Sequence, residues 1–332
     1  MVTIREVAEK AGVSVATVSY VLNEVRKVRP ETQRRVLLAA KELGYFPNSA
    51  ARSLAVGRSS VIGLVVPDLG NPFFPEIAKA FQEAANLAGM EVLVMNTNYD
   101  AQRTRGLLER LIGMQAPGAA FLTSQVDPAM KKAMFEHDIA AVCLDYGDPG
   151  PKNSTIAVNY RQGMLEAIAH LKELGHRSIA LIGGPTHGAA AQRRKFAFLD
   201  GVDTNGMDGR FIDSDFSVQG GYFSCSKILA SYGCTAVIAA NDLMAIGALH
   251  AAYDRKVPVP SQLSVVGFDD ITFAQFTQPA LTTVAVPRAD IGRLAFESLW
   301  SLMTKNGEGG QVYDIPTKLV VRQTTGACGD SR

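Results

Sequence analysis

The sequence predicts a small all-α helix-turn-helix head followed by a larger α/β body of two similar halves, each on a parallel sheet. Three observations carry this. The chain has 332 residues, too many for one ordinary hydrophobic core. Its first 58 residues hold ten Lys/Arg and five Glu, a net +5, whereas the remainder holds 23 basic and 27 acidic residues, a net −4. From residue 61 onward, continuous apolar runs alternate with helix-patterned stretches. A composition of 47% apolar and 20% charged residues is that of a globular chain. A basic head on a mildly acidic body suits a polyanionic partner for the head; on charge alone, chance asymmetry fits the same counts.

In the head, Thr3 with Glu6 three residues on makes a capping box, starting a helix that turns Ile4, Val7, Ala8 and Ala11 inward. Gly12 permits a sharp turn. Ser14 then caps a second helix over Val13, with Val18, Val21 and Leu22 on its inner face. Pro30 and Glu31 open a third helix that stops at Gly44. Helix, tight turn, helix and supporting helix make a helix-turn-helix over residues 1–46. The outer face of the second helix carries Val15 at its leading end, then Ala16 and Tyr20, flanked by Thr17 and Ser19. Small, hydroxyl and aromatic groups without a cluster of charge suit close approach to a B-DNA major groove, where apolar groups meet thymine methyls. Hydroxyls such as those of Thr3, Ser14, Thr17 and Ser19 suit phosphates, and Arg26 and Arg29 follow in the next loop.

Residues 47–58 read as a linker. Asn48 or Ser49 can cap a two-turn helix ended by Gly57. Such a helix is too short to be stable alone and would order on a partner. Leu54, beside Arg52, could wedge between base steps in a minor groove; a flexible tether fits the same residues.

The body occupies residues 59–332. Its first half offers VIGLVVPDL, VLVMNTN, AAFLT and AAVCLDY as strands, with helices in FPEIAKAFQEAANLAG, RTRGLLERLIGM and PAMKKAMFEH. Its second half offers SIALIGG, FIDSD, AVIAAN and LSVVGF, with helices in RQGMLEAIAHLKELG, residues 190–202 and DLMAIGALHAAYDR. Ligands bind such sheets at the carboxyl ends of their strands. Those ends place Asp68, Asn71, Phe73, Phe74, Asn96, Asn98, Asp145 and Tyr146 in the first half, and Arg194, Phe216, Asn241, Asp242, Asp269 and Asp270 in the second. Two such faces opposed across a cleft make a hinged pocket. Asp269 should enter it, with Asp270 turned away by strand alternation.

Other functions fare worse. Four cysteines show no metal spacing and read as reduced thiols. The five histidines are scattered, and neither a P-loop nor a GxGxxG after a strand is present. No metal, cofactor or catalytic residue is expected. MVTIREVAEK lacks a signal-peptide apolar region and no apolar run reaches membrane-spanning length, so the protein is expected in the cytoplasm with no membrane role. A solute-binding protein for transport would share the body but has no use for residues 1–58.

The chain resembles the LacI/GalR family of transcriptional regulators over essentially its whole length. TIREVAEKAGVSVATVSYVLN is similar to that family's headpiece signature, NSAARSLAVGRSSVIGLVVPDLGNPFF to its hinge and first strand, and NDLMAIGAL, SVVGFDD and QPALTTV to its later motifs, in order. The resemblance implies a periplasmic-binding-protein-like body of two Rossmann-like subdomains, the first about 59–158 plus 288–317 and the second about 159–287 plus 318–332. It implies a nucleoid-associated homodimer, with or without a protein co-regulator, on double-stranded, pseudo-palindromic operator DNA. A small-molecule effector, sugar or nucleobase-like, would change operator affinity. It also implies that Val15, Ala16 and Tyr20 read bases and that Leu54 is the intercalating hinge leucine. Asp145, Arg194, Asn241 and Asp269 match polar effector positions, and Phe73 and Phe216 aromatic ones. One stretch departs: after IGGPT the chain reads HGAAAQRRK, with Gly188 and Ala190 where some relatives contact ligand. That removes support for a charged or phosphorylated ligand held there.

Overall fold

The computed structural model describes residues 2–22, 28–46, 59–123, 125–185, 188–304 and 309–329. The chain divides into two compact units, residues 1–59 and 60–332.

The first unit holds α1 (Ile4–Ala11), α2 (Val15–Leu22) and α3 (Pro30–Leu43). The capping box at Thr3 and Glu6 is formed, and α1 and α3 both end on a left-handed glycine, Gly12 and Gly44. The left-handed turn costs a side-chain-bearing residue about 1–2 kcal/mol and glycine nothing, so both helices stop where the chain must reverse. Val7, Ala8, Ala11, Val18, Val21, Val36, Ala39 and Ala40 form the core, with Ile4, Val13 and Leu22 packed against it.

The second unit is two six-stranded sheets with helices between the strands. The first half contains β1 (Val61–Val66), α4 (Phe73–Leu87), β2 (Glu91–Asn96), α5 (Ala101–Gly113), β3 (Gly118–Phe121), α6 (Pro128–Glu136), β4 (Ala140–Leu144) and β5 (Asn153–Val158). The second contains α7 (Tyr160–Glu173), β6 (Ser178–Ile182), α8 (Ala189–Thr204), β7 (Asp208–Ile212), α9 (Val218–Ser231), β8 (Ala236–Ala239), α10 (Asp242–Asp254), β9 (Ser264–Asp269), a 3-10 turn (Thr272–Phe276) and β10 (Thr282–Ala285). The chain then returns with α11 (Arg288–Thr304) and β11 (Val312–Ile315) and crosses once more into β12 (Lys318–Val320). Sheet order is β11-β5-β4-β3-β1-β2 in one half and β12-β10-β9-β8-β6-β7 in the other. All pairings are parallel except β10 with β12. The chain therefore passes between the halves three times, near residues 158–160, 285–288 and 315–318.

Each sheet carries two more strands than the apolar runs announce. β5 begins NST, β10 is four residues with two threonines, and β11 and β12 are short, incompletely buried edge strands. Period and apolarity are weakest in such strands, which are defined by their neighbours. The helices α9 and α11 also go beyond the sequence reading. α9 carries paired glycines, which lower helix propensity, but Gly221 lies where it crosses α10: a Cβ there would overlap the Met244 backbone, and one at Gly247 the Val218 carbonyl. The strand expected at FIDSD lies three residues earlier, at Asp208–Ile212.

Because α9 and α10 follow directly on Phe216 and Asn241, their close crossing positions two cleft residues. Gly221→Ala is expected to destabilise the body by about 1–3 kcal/mol through overpacking, read as a lower urea midpoint at unchanged m-value.

Candidate functional site

The first site is the surface of α2. Ser14 Oγ accepts the Thr17 backbone N–H at 3.1 Å and shares a bond with Thr17 Oγ1 at 2.9 Å. Thr3 Oγ1 is engaged with Glu6, whose carboxyl is held below its usual range by the bonds from the Thr3 backbone and side chain. The capping bonds thus hold α2 at a defined start. Val18 and Val21 are buried, while Val15 is 41% and Tyr20 37% exposed. Ala16 is exposed, and Thr17 and Ser19 are half-buried. Arg29 is exposed just before α3. Arg26, Ser49, Arg52 and Leu54, with the expected hinge helix, lie outside the described residues.

The second site is a cavity, partly open to solvent, between the two sheets of the body. Phe73, Phe74, Asp145, Arg194, Phe216, Asn241 and Asp269 line it, as do Asn71, Tyr99, Thr123, Gln125 and Tyr160. Asp145 ends β4 with φ 56°, Phe216 follows β7 with φ 68°, and Asp269 ends β9 with φ 108°. Left-handed backbone at residues with side chains costs of order 1–3 kcal/mol each and collects at functional sites. Here it bends each side chain from its strand end into the cleft.

Arg194 is the central cation. Its guanidinium is 6% exposed as a residue, stacks 4.2 Å from the Tyr160 ring centroid and 4.7 Å from that of Phe268, and donates to Asp269 Oδ1 at 3.3 Å. Its Nε finds no partner among the described residues. Burial pushes the Asp269 carboxyl up to about 7, against the opposing pull of Arg194 and Arg288. The Asp145 carboxylate is fully engaged: Oδ1 accepts the Val158 N–H at 2.9 Å and Arg193 Nη1 at 3.0 Å, and Oδ2 accepts the Tyr160 hydroxyl at 2.5 Å. Burial raises its pKa, and the Tyr160, Val158 and arginine partners offset part of the rise. Asn241 caps α10 through Met244 N–H at 2.8 Å and donates to the Phe216 carbonyl at 2.9 Å. Its amide therefore shapes the wall even before any ligand contact. On the aromatic side, Tyr99 stacks on Phe216 at 5.9 Å, and Phe73 meets Phe74 edge-on at 5.0 Å.

Tyr146 is not brought to this cavity. The left-handed turn at Asp145 carries it onto the outer apolar cluster, under Lys131 Nζ at 4.6 Å. Asp270 likewise turns away and pairs with Arg322 at 2.7 Å. Asp242 is fully buried, accepting from Thr283 and the Ile271 N–H, so it ties α10 to β9 and β10. Asn96 bonds Asn98 outside the cavity. Tyr99, Gln125 and Tyr160 went unread in the sequence. Tyr99 stands one residue past Asn98, and Tyr160 follows a strand whose polar start concealed it.

Fold and sites together define a two-lobed small-molecule-binding body joined to a helix-turn-helix head, the class of ligand-regulated DNA-binding proteins. Residues 3–48 match the family of bacterial regulatory proteins, lacI family, and residues 168–325 match a periplasmic binding protein-like domain. The chain is 36% identical to the ribose operon repressor of Halalkalibacterium halodurans, over 98% of this chain and 97% of that one. It is 33% identical to the HTH-type transcriptional repressor PurR of Erwinia tasmaniensis, over 98% and 97%. Its fold matches the lac repressor dimer bound to operator and the anti-inducer ONPF with a TM-score of 0.85 at 29% identity, covering 98% of this chain and 99% of that one. The chain belongs to the lacI family. It is a transcriptional regulator with an effector-binding body, not an enzyme. Among the described residues, no helix is long and apolar enough to cross a membrane.

The raised pKa of Asp269 makes stability depend on pH. The folded state binds the Asp269 proton more tightly than the unfolded state, so this stabilisation is full below about pH 4 and lost as pH rises through about 7. In thermal melts between pH 4 and 8, Asp269→Asn should remove that part of the pH dependence. Its melting curve, subtracted from that of the wild type, should leave a downward slope centred between these values.

Proposed function

We propose that this chain binds a pseudo-palindromic operator as a homodimer, most simply as a repressor, and that a small polar effector of the carbohydrate class controls that binding. The observation that carries the DNA reading is the outer face of α2, where Val15 and Tyr20 are displayed beside Ala16 with no charged residue in the helix. An uncharged, small-residue face can enter a major groove and meet base edges and thymine methyls. Arg26 and Arg29 would hold phosphate, and Leu54 would wedge in the minor groove between half-sites. A related structure holds the lac repressor on its operator, which supports the same use of this head.

For the effector, the Arg194–Asp269 pair sets donor beside acceptor at the wall of the cavity, the arrangement that vicinal hydroxyls satisfy. A 27% identical regulator, CelR, has been solved with cellobiose over 98% of this chain at a TM-score of 0.72, which favours a sugar. The stacked Tyr99 and Phe216 rings favour a second reading, a nucleobase-like ligand held flat. A thermal-shift screen of sugars and nucleobases separates the two, because a ligand at a hundredfold its Kd adds about 2.7 kcal/mol of stability. Dimerisation has support in exposed aromatics: Phe223, Tyr253, Phe273 and Phe276 are 61%, 80%, 58% and 74% exposed, all in the second half of the body. The helix α4 buries Phe74, Ile77 and Phe81 within its own half and leaves Leu87 exposed at its end.

Tyr20→Ala is expected to change the operator selected from a random pool, with an effect of about 1–3 kcal/mol per affected base pair. Identical selected motifs for variant and wild type would move base reading to another element. For the intact protein, gel-shift titrations should show log K falling by about 0.9 per unit of log salt for each phosphate neutralised. Asp269→Asn should cost about 1.5–3 kcal/mol of effector affinity in calorimetry while leaving effector-free operator affinity unchanged in fluorescence anisotropy.

A further inference from the structure

Two adjacent arginines on α8 do different work. Successive helix positions point about 100° apart, so Arg194 faces the cavity and Asp269 of its own half, while Arg193 reaches Asp145 in the other half. Arg193 Nη1 donates to Asp145 Oδ1 at 3.0 Å and Nη2 to the Asp145 carbonyl at 3.1 Å. This fork on one residue is a stronger tether than a single point contact. Asp145 is in turn fixed by the Val158 N–H and the Tyr160 hydroxyl, both at the first crossing between the halves. The Asp145 side chain is 3% exposed, whereas that of Arg193 is 46% exposed and lies along an open groove with Phe196 and Asp200. The contact is made wholly of protein groups, so it does not need an effector to form. It breaks if the two walls separate.

We propose that Arg193 is a clamp across the cleft, gripping Asp145 so that the body is biased toward closure before an effector arrives. The clamp sets what fraction of the protein is competent to hold an effector, and apparent affinity scales with that fraction. Because Arg193 is half exposed, salt weakens its grip on Asp145. The proposal rests on the reading of the body as two hinged halves, and it can be tested with no ligand at all.

The test is a double electron–electron resonance measurement on the full chain. Spin labels go on Leu69→Cys in the first half and Val218→Cys in the second, both exposed, with Cys328→Ser to remove the half-buried thiol. The unclamped protein, Arg193→Ala, should show a longer inter-label distance population, the closed-to-open ratio falling about tenfold, the worth of one charge-assisted hydrogen bond. Arg193→Lys, which keeps the charge but loses the fork, should fall between Ala and wild type. Raising salt should lengthen the wild-type distances and leave those of Arg193→Ala unchanged. Circular dichroism confirms that each variant is folded. A distance distribution for Arg193→Ala that superimposes on the wild type, or a wild type indifferent to salt, overturns the clamp. Either result leaves the operator and effector readings standing, since those are measured by gel shift and thermal shift on the unlabelled wild type.

Discussion

A guanidinium held out of water against two adjoining aromatic rings governs the geometry of the cleft. Arg194 packs over Tyr160 and Phe268, whose ring centroids lie 5.9 Å apart, with Asp269 as its counter-charge. Moving such a charge from water costs several kcal/mol, and the site recovers it only with well-placed partners. Those partners come from different elements: α7 supplies Tyr160, and β9 supplies Phe268 and Asp269. Fixing Arg194 thus fixes where a helix of the second half meets the strand ends. The same requirement explains why Asp269 adopts φ 108° at the end of β9. An extended backbone there would carry the carboxylate away from its cation. The Arg194 Nε, without a partner among the described residues, leaves one donor of the site unsatisfied.

The carboxylates of the cleft are consequently unequal. Asp145 has two oxygens saturated by a backbone N–H, a hydroxyl and an arginine, whereas Asp269 has one long bond to Arg194. Burial raises both pKa values, but only the first is compensated by a full set of donors. A saturated carboxylate suits holding the walls together. An unsaturated one suits receiving hydroxyls. Two acidic residues at equivalent strand ends in similar halves therefore differ in their surroundings.

Glycines and threonines do comparable work. Gly184 has no room for a Cβ because the Phe216 ring lies against it, which lets that ring stack on Tyr99. Gly163 is closed in by Val284 and Thr317 where α7 meets β10 and the last crossing, and the Thr317 hydroxyl accepts its N–H at 2.9 Å. The close approach at Gly163 ties α7 to the last crossing between the halves.

Much of this was legible in residue order alone. The head was, because each of its helices carries local stop and start chemistry: Thr3 with Glu6, Gly12, Ser14, Pro30 and Gly44 act within a few residues of themselves. The central strands β1, β3, β4, β6, β8 and β9 were, because strands buried on both faces must be continuously apolar. Strand ends then predicted part of the cleft, including Asn71, Asp145, Phe216, Asn241 and Asp269, since parallel strands deliver their carboxyl ends to one side. What one-dimensional order could not settle depends on contacts between distant segments. The edge strands β11 and β12 exist because β5 and β10 offer them hydrogen bonds. Tyr146 leaves the cleft and Tyr160 enters it because the left-handed turn at Asp145 and the first crossing between halves are set by packing. Arg193 and Arg194 are indistinguishable as neighbours in the sequence. They part only when α8 is laid against a cleft, where a rotation of about 100° per residue sends one to its own wall and the other across to the opposite one.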